Sequence, residues 1–233
     1  MIEKKQDIVP HQILVTSLPE LPVDFSVFDS FDVTWHPKCQ KAKAKVYAWI
    51  ESLIEGEPGG IVLWSKNYGC GKTHLAKAAY RALGAVPTPP YGFRKFGEFI
   101  TSEDFFQSIR DSYAHGSPTQ LFKDWEQSPY LIMDDFGKEY AANMEWAREQ
   151  FYKLINRIHE HKSFLLTSNL TPAELGERIG GASMSRLIGM CGQDGFVDMS
   201  DIPDYRVKNH GKNRRVGTQA TTVSRKAGNT PPF

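Results

Sequence analysis

The sequence predicts an α/β fold built on a parallel sheet with helices on both faces. Three observations carry that reading. The runs IVLWS at 61–65, YLIMDD at 130–135 and SFLLTSN at 163–169 are short and apolar almost throughout, the pattern of strands buried on both sides. The stretches that follow them place apolar residues at helical spacing. Strand and helix then alternate along the chain, which is how a parallel sheet is wound.

The elements follow in order. Residues 1–35 contain Pro10, Pro19 and Pro22 without a helical period, so an irregular segment is expected. In KAKAKVYAWIESLIEG, Val46, Trp49, Ile50, Leu53 and Ile54 fall at i, i+3, i+4, i+7 and i+8, one apolar stripe on a helix. Glu-Pro-Gly-Gly at 57–60 ends it. The strand at 61–65 leads through a glycine-containing loop to THLAKAAYRALG, a helix closed by Gly84. Pro87, Pro89 and Pro90 predict a break. FRKFGEFI at 93–100 alternates and reads as one strand, with Phe93 in the core and Arg94 and Lys95 as candidate contacts to DNA. Thr101 and Asp104 suit a cap opening a helix through Tyr113. Beyond the strand at 130–135, Ala147, Phe151, Leu154, Ile155 and Ile158 share one helical face. Thr171-Pro172-Ala173-Glu174 is a helix start: cap, proline at the first position, acid at the third.

With 233 residues the chain can bury one sizeable core. No apolar run approaches the roughly 20 residues that span a bilayer, and the N-terminus lacks the apolar stretch of a secretory signal, so no membrane partner is expected. Cys39, Cys70 and Cys191 are odd in number and form no C-x-x-C. They argue against a disulfide framework or a zinc site and for a reducing, cytoplasmic setting. Net charge is +1, yet after Asp204 the chain carries Arg206, Lys208, Lys212, Arg214, Arg215, Arg225 and Lys226 with no acid. Residues 207–233 are therefore expected to be a disordered basic tail, either solubilising or in non-specific contact with nucleic acid. The domain reading is an N-terminal segment at 1–35, a main domain at 36–206 and that tail.

The chemistry concentrates in KNYGCGKTH, Lys66 to His74. A complete phosphate-binding loop, G-x-x-x-x-G-K-[ST], would have glycine where Lys66 stands. Gly69 and Gly71 let backbone N–H groups close around phosphate oxygens. Lys72 would reach the β and γ phosphates, the Thr73 hydroxyl would hold Mg²⁺, and the helix starting there offers its positive end. Gly69, Cys70, Gly71, Lys72, Thr73 and His74 are thus the candidate ATP-binding set. Asn67 is expected to take up left-handed backbone in place of the missing glycine, and Lys66 to add positive charge near the site. Hydrolysis needs a carboxylate on a neighbouring strand. Asp134 ends LIMDD at the strand edge where open α/β sheets bind ligands. It would order the Mg²⁺ shell, while Asp135 would orient or deprotonate the attacking water. Asn169 ends the next strand and can bind the γ-phosphate or the water; a turn-forming asparagine is the alternative. Arg186 in MSRLIGM is a candidate finger for an adjacent subunit's nucleotide, with Arg178 as competitor, and Arg206 could contact phosphates of its own subunit. For each, a solvated surface arginine is the alternative. Together the loop and strands predict a P-loop NTPase core.

GCGKTHLAKAA, LIMDDFGKE, LLTSNLTPAEL and MSRLIGM occur in that order. The chain thereby resembles the AAA+ ATPases of the DnaC and DnaI type, the bacterial and phage helicase loaders, and their relative, the IstB transposition helper. The similarity spans about 28–206, with FDSFD at 28–32 resembling the segment ahead of the nucleotide site. The resemblance implies that Lys72 and Thr73 match the Walker A lysine and threonine, and Asp134 and Asp135 match Walker B. It makes Asn169 sensor 1, Arg186 the arginine finger and Arg206 part of the sensor 2 region. It also implies a replicative DnaB-type helicase and single-stranded DNA as partners, and self-association through AAA+ interfaces. An IstB-type transposase helper, or a degenerate nucleotide-binding module, are the alternatives. Two departures stand out: Lys66 replaces the first Walker A glycine, and Asp135 stands where many AAA+ proteins have glutamate. Loaders often carry a separate N-terminal helicase-binding domain, which this chain, with few residues before position 36, is expected to lack.

Overall fold

The structure is a computed structural model that describes residues 23–88, 93–137 and 144–207, with the backbone alone described at 85–88 and 93–96. Its centre is a five-stranded sheet in the order β4-β5-β6-β1-β7. The strands are β1 (Gly60–Trp64), β4 (Glu98–Thr101), β5 (Tyr130–Phe136), β6 (Ser163–Ser168) and β7 (Phe196–Asp198). Every pairing in it is parallel, as the apolar strands predicted. Successive residues of a strand face opposite layers. Ile61 and Leu63 enter one core with α1 (Pro37–Ile54) and α2 (Lys72–Leu83), while Val62 enters the other. That second core is covered by α3 (Ser102–Ala114), α4 (Thr119–Gln127), α5 (Met144–Ile158), α6 (Pro172–Ile179) and α7 (Gly181–Cys191). The result is three layers with the C-terminal strand ends aligned on one edge.

Local chemistry sets the boundaries. His36 caps α1 through Nδ1 and Pro37 occupies its first turn, so the helix starts earlier than its apolar stripe suggested. Thr101 caps α3 by accepting from the Asp104 amide. Thr171 and Glu174 form a reciprocal capping box at α6, with Pro172 behind the cap. The five stripe residues of α5 are all buried.

Several expectations need correction. FRKFGEFI is not one strand. β3 (Phe93–Phe96) pairs antiparallel with β2 (Ala85–Thr88) in a separate two-stranded sheet, and β4 joins the main sheet. The break falls at Gly97, where a side chain would run into the Tyr130 ring. Pro87, read as part of a break, lies within β2. The short helix α4 and the edge strand β7 were not predicted. The segment ahead of residue 36 is not irregular throughout: Phe25–Phe28 forms a 3-10 turn, and Phe28 and Phe31 are buried in the core with α1 and α2. The side chains of Phe93, Arg94 and Lys95 and the tail from 208 to 233 lie outside the described residues. Among the described residues no helix is long and apolar enough to cross a membrane.

Candidate active site

The loop between β1 and α2 leaves a strand held between β6 and β7 and wraps the N-terminus of α2. Gly71 caps that helix in left-handed backbone at φ 99°, a region that only glycine enters without strain. Gly69 is also left-handed, at φ 68°. Both positions are closely approached. A Cβ on Gly71 would come within 2.6 Å of the Phe31 ring, and one on Gly69 would collide with the Asp204 carboxylate. The two glycines therefore serve the segments folded over the loop as well as the loop itself.

Lys72 is 6 % exposed. Its Nζ donates to the carbonyls of Ser65 (3.3 Å) and Asn67 (3.1 Å) and touches Cys70 Sγ at 3.5 Å. A buried ammonium held only by neutral carbonyls and a thiol is available to an entering anion. Asn67 does not play the expected part: Asp135 is the one non-glycine residue with positive φ among those described. Asn67 instead ties the loop to the end of β7, its amide donating to the Ser200 carbonyl. Lys66 does not point free charge at the site either, because it pairs with Glu174 Oε1 at 2.8 Å.

The carboxylates meet the loop across β6. Thr73 Oγ1 donates to Asp134 Oδ1 at 3.1 Å, and Thr167 Oγ1 donates to the same oxygen at 2.5 Å. The Asp135 amide donates to Thr167 Oγ1 at 2.8 Å. Thr167 is thus the hub linking both acids, and sequence reasoning missed it. The pairing of β5 with β6 slips between Met133 and Phe136, inserting one residue on β5. The slip sets Asp135 at φ 60° and turns its side chain toward Asn169, whose Nδ2 stands 3.5 Å from Asp135 Oδ1. Strained backbone at a carboxylate on a strand end is characteristic of functional sites.

The loop opens onto a cavity of about 290 Å³. Residues Gly69 to His74, with Asp135 and Asn169, supply its polar lining. Phe31, Trp35, Tyr68 and Tyr205 supply its aromatic lining, with Phe31 edge-on to the His74 ring at 5.5 Å, an arrangement able to stack a planar ring. Trp35 meets Tyr205 edge-on at 5.9 Å and donates its indole N–H to the Pro203 carbonyl. Lys38, the second residue of α1, bridges Asp198 (2.6 Å) and Asp201 (2.5 Å) and pins the two chain segments that carry these rings. His74 Nε2 lies 2.9 Å from Ser30 Oγ, and partial burial, with the Arg81 charge, lowers its pKa.

The arginines divide. Arg206 lines the cavity and is held by Asp204, with Nε at 3.2 Å. Arg186 is not brought to the loop. It lies on α7, stacked over the Tyr152 ring at 5.0 Å and donating to the Ala182 carbonyl at 3.1 Å. Arg178 donates to Met144 Sδ, also away from the cavity. Among the described residues no group of three or more His, Cys, Asp or Glu side chains could hold a metal ion unaided.

A parallel αβα sheet with a GKT loop on an inner strand and an acid pair two strands away defines a P-loop NTPase fold of the AAA+ kind. The model of the IstB-like ATP binding protein family matches residues 12–190, and the chain belongs to that family. It is 24% identical over 185 residues to the ATP-binding protein of insertion sequence IS5376 from Geobacillus stearothermophilus, covering 79% of this chain and 67% of that one. It is 26% identical over 116 residues to the chromosomal replication initiator DnaA of Helicobacter hepaticus, but spans only 23% of that relative. Among solved structures, the DnaC helicase loader superposes with a TM-score of 0.57 at 24% identity, covering 70% of this chain and 90% of the loader. AMPPCP-bound DnaA from Aquifex aeolicus superposes with 0.51 at 19%, covering 76% and 53%.

Proposed function

We propose that this protein is an ATP-hydrolysing switch that loads a replicative, DnaB-type helicase onto single-stranded DNA in the cytoplasm. The observation that carries hydrolysis is the convergence of Thr73 and Thr167 on Asp134, with Asp135 and Asn169 beside it. Lys72 exchanges the carbonyls of Ser65 and Asn67 for the β and γ phosphate oxygens. Asn169 orients a water in line with the γ-phosphorus, and Asp135 accepts its proton as the new P–O bond forms and the bond to ADP breaks. Thr73 Oγ1 and Asp134 would hold Mg²⁺. Two hard oxygen ligands without a full protein cage fit an ion that completes its shell with phosphate oxygens and water. That ion would supply charge neutralisation at the β and γ oxygens. Arg206 would contact the phosphates from its own subunit, and Arg186, outside its own site, would complete a neighbour's.

The unit doing this work is residues 36–206 with the segment 23–35 packed on it; the basic residues beyond it would contact DNA. The loader role draws on the fold shared with the DnaC loader. The family match and the insertion-sequence relative favour a second reading, an ATPase that assists a transposase.

The test has two parts. Wild type should hydrolyse ATP, Lys72→Ala should not, and Arg186→Ala should lose activity that mixing with Lys72→Ala protein restores. Equal, slow turnover by wild type and Lys72→Ala would end the ATPase reading, and absent rescue would end the trans role of Arg186. Affinity purification from the native host separates the two roles: a replicative helicase supports loading, whereas a transposase without a helicase overturns it.

A further inference from the structure

We propose that Lys66, through its ion pair with Glu174, is a positioning residue that ties the phosphate-binding loop to the segment carrying Asn169. The inference rests on the ATPase reading above. It begins from a position where the loop pattern calls for glycine. Here that position does not need one, because its backbone is not left-handed. The side chain gained by the substitution has a definite partner. Lys66 Nζ lies 2.8 Å from Glu174 Oε1, and the other carboxylate oxygen accepts from the Thr171 amide and hydroxyl, both at 2.8 Å.

Both ends of this link lead to the reacting groups in a few bonds. On one side, Lys66 adjoins Asn67, whose carbonyl receives Lys72 Nζ at 3.1 Å. On the other, Thr171 lies two residues beyond Asn169, whose amide faces Asp135. The ion pair thus joins Lys72 and the loop to α6 and Asn169, linking the group that would grip the γ-phosphate to the group that would orient water. Its ends are 60% and 41% exposed, so solvent screens it and it adds little to stability. What it fixes is relative position. A shift of the Asn169 segment against the loop would misplace the water while leaving nucleotide affinity nearly intact.

The test compares Lys66→Met, Lys66→Arg, Glu174→Gln and the Lys66→Met/Glu174→Gln double variant. Glutamine at 174 keeps the capping acceptor of α6 but removes the charge. In both neutral single variants kcat should fall about three- to tenfold with KM for ATP changed less than twofold. The double variant should fall no further, Lys66→Arg should retain kcat, and the wild-type advantage should shrink in high salt. Additive losses, a fall confined to KM, or an unchanged kcat in either neutral variant would overturn the proposal. Amide hydrogen exchange reads the link without turnover. Protection at 66–69 and at 169–172 should drop together in Lys66→Met and in Glu174→Gln. If the wild type shows no Lys72-dependent hydrolysis, the ATPase reading fails by itself. Unchanged exchange at either segment then overturns the link.

Discussion

The polar and aromatic linings of the cavity are built in opposite ways. The polar lining comes from short contiguous stretches, 69–74, 135 and 169, backed by Thr167, which bonds Asp134 and the Asp135 amide. The aromatic lining comes from residues far apart in the chain, Phe31 and Trp35 from one segment and Tyr205 from another, held by the Lys38 bridges and one indole hydrogen bond. The first suits reaction chemistry. The second is supplied by two segments that fold over the loop glycines and suits retention of a base. If that division is right, substitutions in the two linings should fail in different kinetic parameters.

The sharpest way to break the division is at Thr167. Thr167→Val keeps the shape of the strand but removes the hydroxyl that donates to Asp134 and accepts from the Asp135 amide. Groups that orient functional side chains typically cost about 10- to 100-fold in activity when removed. We expect kcat to fall by about that factor with the Kd for ATP little altered, measured by steady-state hydrolysis and by equilibrium binding. A loss confined to affinity would mean that the hub serves binding rather than reaction.

In the aromatic lining, Trp35→Ala should do the reverse. It removes a half-buried ring that meets Tyr205 and ties into Pro203. Aromatic contacts of this kind contribute about 0.5–1.5 kcal/mol beyond area burial, which corresponds to a Kd roughly two- to tenfold weaker. Turnover at saturating ATP should hold within about twofold, since no reacting group moves. If kcat collapses while affinity stays, the aromatic wall governs closure of the site instead.

The same contrast explains what could be read in the sequence. The polar lining and the acid behind it are legible because each stretch joins a buried strand to its chemistry, so spacing and position single out Lys72, Thr73 and Asp134 together as candidates. Thr167 escaped notice, although a signal was present. A threonine inside a strand buried on both faces must find a hydrogen-bond partner, and the nearest acids lie on the adjoining strand. Trp35 and Tyr205 carried no such signal, because no local spacing says that residues 170 positions apart share a wall. The strand at 93–100 was misread for a related reason. Its alternation runs through Gly97, and only the Tyr130 ring packed against that glycine separates the two pieces. Lys66 reads in the sequence only as a departure from a glycine pattern, because its partner Glu174 lies far along the chain on α6.

The smallest expected effect concerns that pair and pH. Lys66, followed by the Thr171 amide and hydroxyl, lowers the pKa of Glu174 from 4.5 to about 2. A carboxylate depressed in the folded state contributes stability that is fully present above its unfolded pKa and is lost as pH falls through the folded value. The Lys66 share of that contribution should therefore be constant from neutral pH down to about 4.5 and fade between there and about 2. In Lys66→Met the Glu174 pKa moves back up but stays below normal, because both Thr171 bonds remain. Urea unfolding of wild type and Lys66→Met from pH 7 to pH 2.5 should give two curves offset by a small, steady amount that converge only below about pH 4.5. Convergence near neutrality would assign the offset to another group, and an offset undiminished at pH 2.5 would mean that Lys66 stabilises the fold without Glu174.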